Sequence, residues 1–187
     1  MLALDRLDSL GGGPPIGAAP AGEAGDGSWG REQQMLSAWL GDSASGRKDR
    51  ETVARLPLLE GVHVLVVDDD EDAREAITAV LESCGAEVIG VPSAAAALAA
   101  LGHARPQVIV SDIAMPGIDG HQLMRHVRAL DAERGGSIPA AALTAYATPA
   151  DRTRALLAGY QIYLAKPFDP SELVTLVAHL AGRNPRT

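Results

Sequence analysis

The chain has 187 residues, one domain of ordinary size with a surplus, and its 24 Asp and Glu against 16 Lys and Arg give a formal charge of −8. That balance argues against a nucleic-acid partner, whose phosphates must be neutralised by cationic side chains. The single cysteine, Cys84, excludes an internal disulfide and a four-thiolate zinc site.

With aromatics at 3%, the core must be built from Ala, Val, Leu and Ile. The most apolar stretch, Ala94 to Leu101, is far short of the roughly 20 residues of a membrane helix, so no membrane partner is expected. The N-terminus has no basic stretch followed by an apolar one, and the expected location is the cytoplasm.

Residues 1–60 hold half of the 20 glycines and both tryptophans. Stretches such as Gly11-Gly12-Gly13-Pro14-Pro15 carry too little apolar bulk to offset the entropy of ordering, so this segment is expected to be a disordered extension. Glu32 to Leu40 could form a short helix with Met35, Leu36, Trp39 and Leu40 on one side, either incidental or a docking element.

From Gly61 the pattern turns regular. Val62 to Val67 is a β-branched run that stops at acids, as a buried parallel strand does. Asp72 to Ser83 has helical apolar spacing, and Glu87 to Val91 is a short strand. Ser93 caps a helix running through Leu101, and Val108 to Val110 is a buried strand. Gly120 to Arg134 is predicted as one helix, and Ala140 to Leu143 as a strand. Pro149 opens a helix to about Leu157, Ile162 to Ala165 is a strand, and Ser171 to Ala181 a final helix before the tail 182–187. Five strands alternating with five helices, joined by short connections, predict a doubly wound α/β domain over residues 61–181 with a parallel sheet.

Ligand sites in such sheets lie beyond the carboxyl ends of the strands. There the sequence places Asp68 to Asp72 after strand one, Asp112 after strand three, Thr144 after strand four and Lys166-Pro167 after strand five. Crowded carboxylates repel, and a hard divalent cation such as Mg²⁺ relieves them. The chemistry this suggests is phosphoryl transfer to a carboxylate. Lys166 is one of two lysines, with Lys48, against 14 arginines, so a chain that otherwise uses Arg puts its one domain ammonium beside the acids.

These residues resemble a family. Val64 to Asp70 is similar to the first strand and acid pair of two-component receiver domains, and Ser111 to Gly120 to their phosphoacceptor loop. Leu143-Thr144-Ala145 and Tyr163 to Phe168 resemble their switch threonine, switch aromatic and lysine segments. The resemblance implies a flavodoxin-like sheet of order 2-1-3-4-5. It implies that Asp112 accepts phosphate from a phosphohistidine on a sensor histidine kinase or histidine phosphotransfer protein. Mg²⁺ would sit on Asp68, Asp69, Asp112 and the Ala114 carbonyl. Thr144 and Lys166 would hold the phosphoryl oxygens, and Tyr163 would turn as Thr144 moves, switching a face toward an unknown downstream protein.

Such a module is not an enzyme beyond slow self-phosphorylation and self-dephosphorylation. Tyr160 stands where the family more often has a small residue, and Tyr146 flanks the phosphoryl position. Val53 to Leu58 resembles the closing strand of a histidine-kinase ATPase domain, which raises a hybrid-kinase origin. The six residues after Ala181 leave no room for a DNA-binding module. The alternatives are an aspartyl-nucleophile phosphatase or phosphotransferase, a non-switching receiver scaffold, and a flavin-binding protein. Ala114 counts against the first, intact Asp112, Thr144 and Lys166 against the second, and the acid run against the third.

Overall fold

The structure is a computed structural model that describes residues 59–145 and 148–183. The expectations placed on residues 1–58, on Tyr146 and on the end of the tail lie outside the described residues. Five strands, β1 (His63–Val67), β2 (Glu87–Val91), β3 (Val108–Asp112), β4 (Ala140–Thr144) and β5 (Ile162–Ala165), form one parallel sheet of order β2-β1-β3-β4-β5. The helices are α1 (Glu71–Ser83), α2 (Ala94–Ala104), α3 (Gly120–Arg128), α4 (Pro149–Ala158) and α5 (Pro170–Leu180).

Strand residues alternate between two apolar layers, because successive side chains point to opposite faces. Val64, Val66, Val108, Val110 and Leu143 pack with Ile77, Val80 and Leu81 of α1 and Leu173, Val174 and Val177 of α5. Leu65, Val67, Ile109, Ala140 and Ala142 face the other way, against α2, Leu123, Met124 and Val127 of α3, and Ala155 of α4. Each fully buried Val, Leu or Ile contributes about 1.5–3 kcal/mol relative to exposure.

Each of these five helices starts at a side chain that caps it. Asp70, Ser93, Asp119, Thr148 and Asp169 accept from the first-turn amides of α1 to α5, and Asp119 with Gln122 makes a reciprocal capping box. Since these helices begin just past the strands' carboxyl ends, the caps also fix where the strand-end loops leave the sheet.

One element differs from its prediction. The helix expected over Gly120 to Arg134 ends at Arg128, and Ala132–Arg134 forms a separate 3₁₀ turn. The chain doubles back after Leu130, where Gly136 donates to the Asp131 carbonyl at 3.0 Å. A Cβ on Gly136 would lie 2.0 Å from the Leu130 carbonyl oxygen, so only glycine allows that return. Arg128 secures it by donating to the carbonyls of Gly136 at 2.9 Å and Ile138 at 2.7 Å.

Candidate phosphoacceptor site

Among the described residues, the buried polar or charged side chains are Asp68, Ser111, Asp112 and Thr144. They sit at the carboxyl ends of β1, β3 and β4 or just past them, while the rest of the core is apolar. Buried polar groups are tolerated where they find partners. Lys166, just past β5, joins Asp68 and Asp112 through its side chain and Thr144 through its backbone.

The Lys166 side chain is 5% exposed, and its Nζ donates to Asp112 Oδ1 at 2.7 Å and to Asp68 Oδ2 at 3.0 Å. The Lys166 backbone N–H donates to the Thr144 carbonyl at 2.7 Å, which locks β5 to β4 at this edge. The Lys166–Pro167 peptide is cis. Asp112 Oδ2 accepts from the Ala114 N–H at 2.6 Å, and Asp68 Oδ1 from the Asp70 N–H at 3.0 Å. Each carboxylate therefore has one oxygen fixed by backbone and one on the shared ammonium. Arg74 holds the Asp68 carbonyl at 2.8 Å, and the Ser111 hydroxyl donates to the Asp112 carbonyl at 2.8 Å.

Burial raises the Asp68 carboxyl above its ordinary range, and the neighbouring Asp112 adds to this. The Lys166 charge and hydrogen bond and the Asp70 amide oppose it without cancelling it. One ammonium thus serves two buried acids, with the exposed Asp69 beside them. Thr144 is 3% exposed, and its side chain hydrogen-bonds with Tyr163. Burial, and after it the Asp151 carboxylate, pushes the Tyr163 phenol up.

The structure brings Asp68, Asp112 and Lys166 into direct contact and joins Thr144 to Tyr163. Asp69 and Ala114 lie exposed at the same edge. The roles of Arg74 and Ser111 went unread in the sequence. Ser111 had a visible signal, a lone hydroxyl inside a buried strand; Arg74, one turn into a helix, had none. His121 packs edge-on against Tyr160 with ring centroids 6.5 Å apart, and its Nδ1 is shielded.

A model of the response regulator receiver domain matches residues 64–178, more than half of the chain. The chain belongs to the receiver family. An uncharacterised 14.6 kDa protein of Leptolyngbya boryana is 47% identical over 119 residues, 64% of this chain and 89% of that one. The response regulator Rre1 of Synechocystis is 35% identical over 127 residues, covering 67% of this chain and 54% of Rre1. The chain spans only 25% of the response regulator FleR of Pseudomonas aeruginosa.

Among solved structures, the receiver domain of sensor histidine kinase PA1611 from Pseudomonas aeruginosa superimposes with a TM-score of 0.60 at 35% identity, covering 65% of this chain and 98% of that one. It is described with a magnesium ion coordinated in its active site cleft. Chemotaxis response regulator CheY4 of Vibrio cholerae gives 0.59 at 29% identity, covering 64% and 98%. The receiver fold and the sheet order expected from the resemblance are both present, and the chain is a signalling module of two-component phosphorelays. No helix among the described residues is long and apolar enough to cross a membrane.

Proposed function

We propose that Asp112 is the phosphoacceptor, taking a phosphoryl group from a phosphohistidine on a sensor histidine kinase or histidine phosphotransfer protein. The observation that carries this is the Lys166 ammonium bridging Asp112 and Asp68 at the carboxyl edge of the sheet. An Asp112 oxygen attacks the phosphorus, the histidine nitrogen leaves with the bonding electron pair, and an acyl phosphate forms. The Lys166 charge, already 2.7 Å from Asp112 Oδ1, stays with the phosphoryl oxygens as negative charge gathers. Thr144, buried at the end of β4, offers the hydroxyl for another of those oxygens. Drawing Thr144 toward the phosphoryl group changes its hydrogen bond with Tyr163, and so the face formed by α4, β5 and α5.

The donor set suits Mg²⁺. Asp68, Asp69, Asp112 and the Ala114 carbonyl offer hard oxygen ligands, and burial makes the Asp68 charge costly to hold, a cost that a further cation would lower. Among the described residues no group of three or more His, Cys, Asp or Glu side chains is arranged to hold a metal ion by itself. Mg²⁺ needs none, since it takes one or two carboxylates and keeps several waters. When bound, the ion supplies charge neutralisation at the phosphoryl oxygens.

Receivers are signalling modules, and the chemistry assigned to this one is confined to its own phosphorylation and dephosphorylation. Residues 61–181 would form the working domain, with 1–60 an extension and 182–187 a tail.

Intact-mass measurement after incubation with acetyl phosphate and Mg²⁺ is the test. One acid-stable, base-labile phosphoryl group is expected on the wild type and none on Asp112→Asn. Modification of Asp112→Asn at the wild-type level would overturn the assignment.

A further inference from the structure

Tyr160 opens the segment that leads into β5, directly after Gly159 caps α4. Its ring is 2% exposed, inside the layer that holds α3 and α4 against the sheet. A tyrosine so deeply buried needs a partner for its hydroxyl. It finds one 40 residues away, donating to the Gly120 carbonyl at 2.9 Å. Burial pushes its phenol well up, and the nearby Ser111 hydroxyl works against this.

Ser111 and Gly120 frame the same loop. Ser111 immediately precedes Asp112 and donates to its carbonyl. Gly120 closes the loop, donating from its N–H to the Ile113 carbonyl at 3.0 Å, with Asp119 capping the helix that starts there. The approach is tight. A Cβ on Gly120 would lie 2.4 Å from the Asp112 carbonyl oxygen and 2.8 Å from the Tyr160 hydroxyl. Between these fixed ends the loop carries Asp112, the Ala114 amide on Asp112 Oδ2, and the Ala114 carbonyl.

We propose that the Tyr160 hydroxyl is a positioning group for the phosphoacceptor loop, holding its Gly120 end so that Asp112 and Ala114 stay aligned for phosphoryl transfer and hydrolysis. It rests on the assignment of Asp112 as phosphoacceptor. Tyr160 touches no reacting atom and acts through the backbone it braces. Transfer to and from Asp112 requires in-line alignment, so small displacements of the carboxylate are costly in rate. The bracing residue belongs to the α4–β5 corner, three residues ahead of Tyr163. A change in that corner is therefore transmitted to the loop by a route separate from Thr144.

The test compares wild type, Tyr160→Phe, Asp112→Asn and Val127→Ala, the last a core truncation in the same layer with no bond to the loop. Self-phosphorylation by acetyl phosphate with Mg²⁺ and the decay of the product are followed by intact mass. Tyr160→Phe keeps the ring and loses the hydroxyl, and both rates are expected to fall about three- to tenfold. The Ala114 amide proton is expected to shift in Tyr160→Phe and stay in place in Val127→Ala. A folded Tyr160→Phe with both rates within about twofold of wild type overturns the proposal, as does an equal Ala114 shift in both variants. If Tyr160→Phe does not fold, Tyr160→Met, which also removes the hydroxyl and refills the space with an adaptable apolar side chain, is judged by the same rates and the same Ala114 shift. Continued modification of Asp112→Asn would instead overturn the phosphoacceptor assignment, leaving the Ala114 shift to decide whether Tyr160 positions the loop.

Discussion

At Lys166, two readings of one ammonium make different predictions. If it only balances charge, Lys166→Arg behaves as wild type, because the formal charge is kept. If it must follow the phosphoryl oxygens while staying within reach of Asp68 and Asp112, a longer planar fork in a pocket 5% exposed points its donors elsewhere. Lys166→Arg is expected to accept phosphate from a small donor at least about tenfold more slowly and to lose the response of Tyr163. Tyr163 resonances with and without beryllofluoride check this, and equal shifts in both proteins would leave the lysine as a charge balancer. Asp68 gives a pH signature. Its carboxyl is raised by burial, so between its ordinary value and the raised one the folded protein holds a proton that the unfolded chain has released. Stability from this group therefore falls as pH rises through that window and is constant above it. In metal-free buffer the wild type is expected to gain stability relative to Asp68→Asn as pH is lowered through the window, whatever the offset at neutral pH. Thermal unfolding across pH reads it, and a difference that does not vary contradicts it.

The end of α3 is held by a single side chain. The Arg128 guanidinium donates twice to the Gly159 carbonyl, at 3.0 and 2.8 Å, to the Gly136 and Ile138 carbonyls, and to Gln161 Oε1 at 3.2 Å. Gln161 Oε1 in turn accepts from the Ala140 N–H at 2.7 Å, so α3, the start of β4 and the α4–β5 turn meet on one fork. Burial draws this guanidinium down from its usual value, yet none of these partners is a carboxylate. Arg128→Lys keeps the charge but cannot span the carbonyls, and is expected to cost about 2–3 kcal/mol in urea unfolding. A loss under about 1 kcal/mol would mean that water replaces the fork. This junction is also where the sequence misled. Leu123, Val127 and Leu130 continue helical spacing, and nothing local shows that Arg128 will bond eight and ten residues ahead and across to Gly159. The remaining helices were legible because their starts are local, each with an Asp, Ser or Thr immediately before the apolar run.

For the molecule as a whole, the topology and the acid–lysine cluster could be read because a parallel sheet gathers its strand ends at one edge, and Asp68, Asp112, Thr144 and Lys166 each end or follow a strand. The Tyr160–Gly120 bond could not be read, since it depends on how closely α3 approaches the α4–β5 corner. All the contacts described for the site lie within residues 59–183, so a shortened chain of residues 57–183 is expected to take phosphate within about twofold of the full-length rate. A shortened chain that folds but cannot be modified would place part of the site in the preceding segment. The bond from Lys166 to Asp68 spans 98 residues and that to Asp112 spans 54. During synthesis, then, the acids are all made before the ammonium that reconciles them. A growing chain reaches β4 before it has the Lys166 ammonium at its carboxyl edge, and on the proposed assignment phosphoryl transfer would wait on β5 for its full support. On the same assignment, a chain cut before β5 would carry the acceptor aspartate without its ammonium, so full responsiveness would report that the domain has been completed.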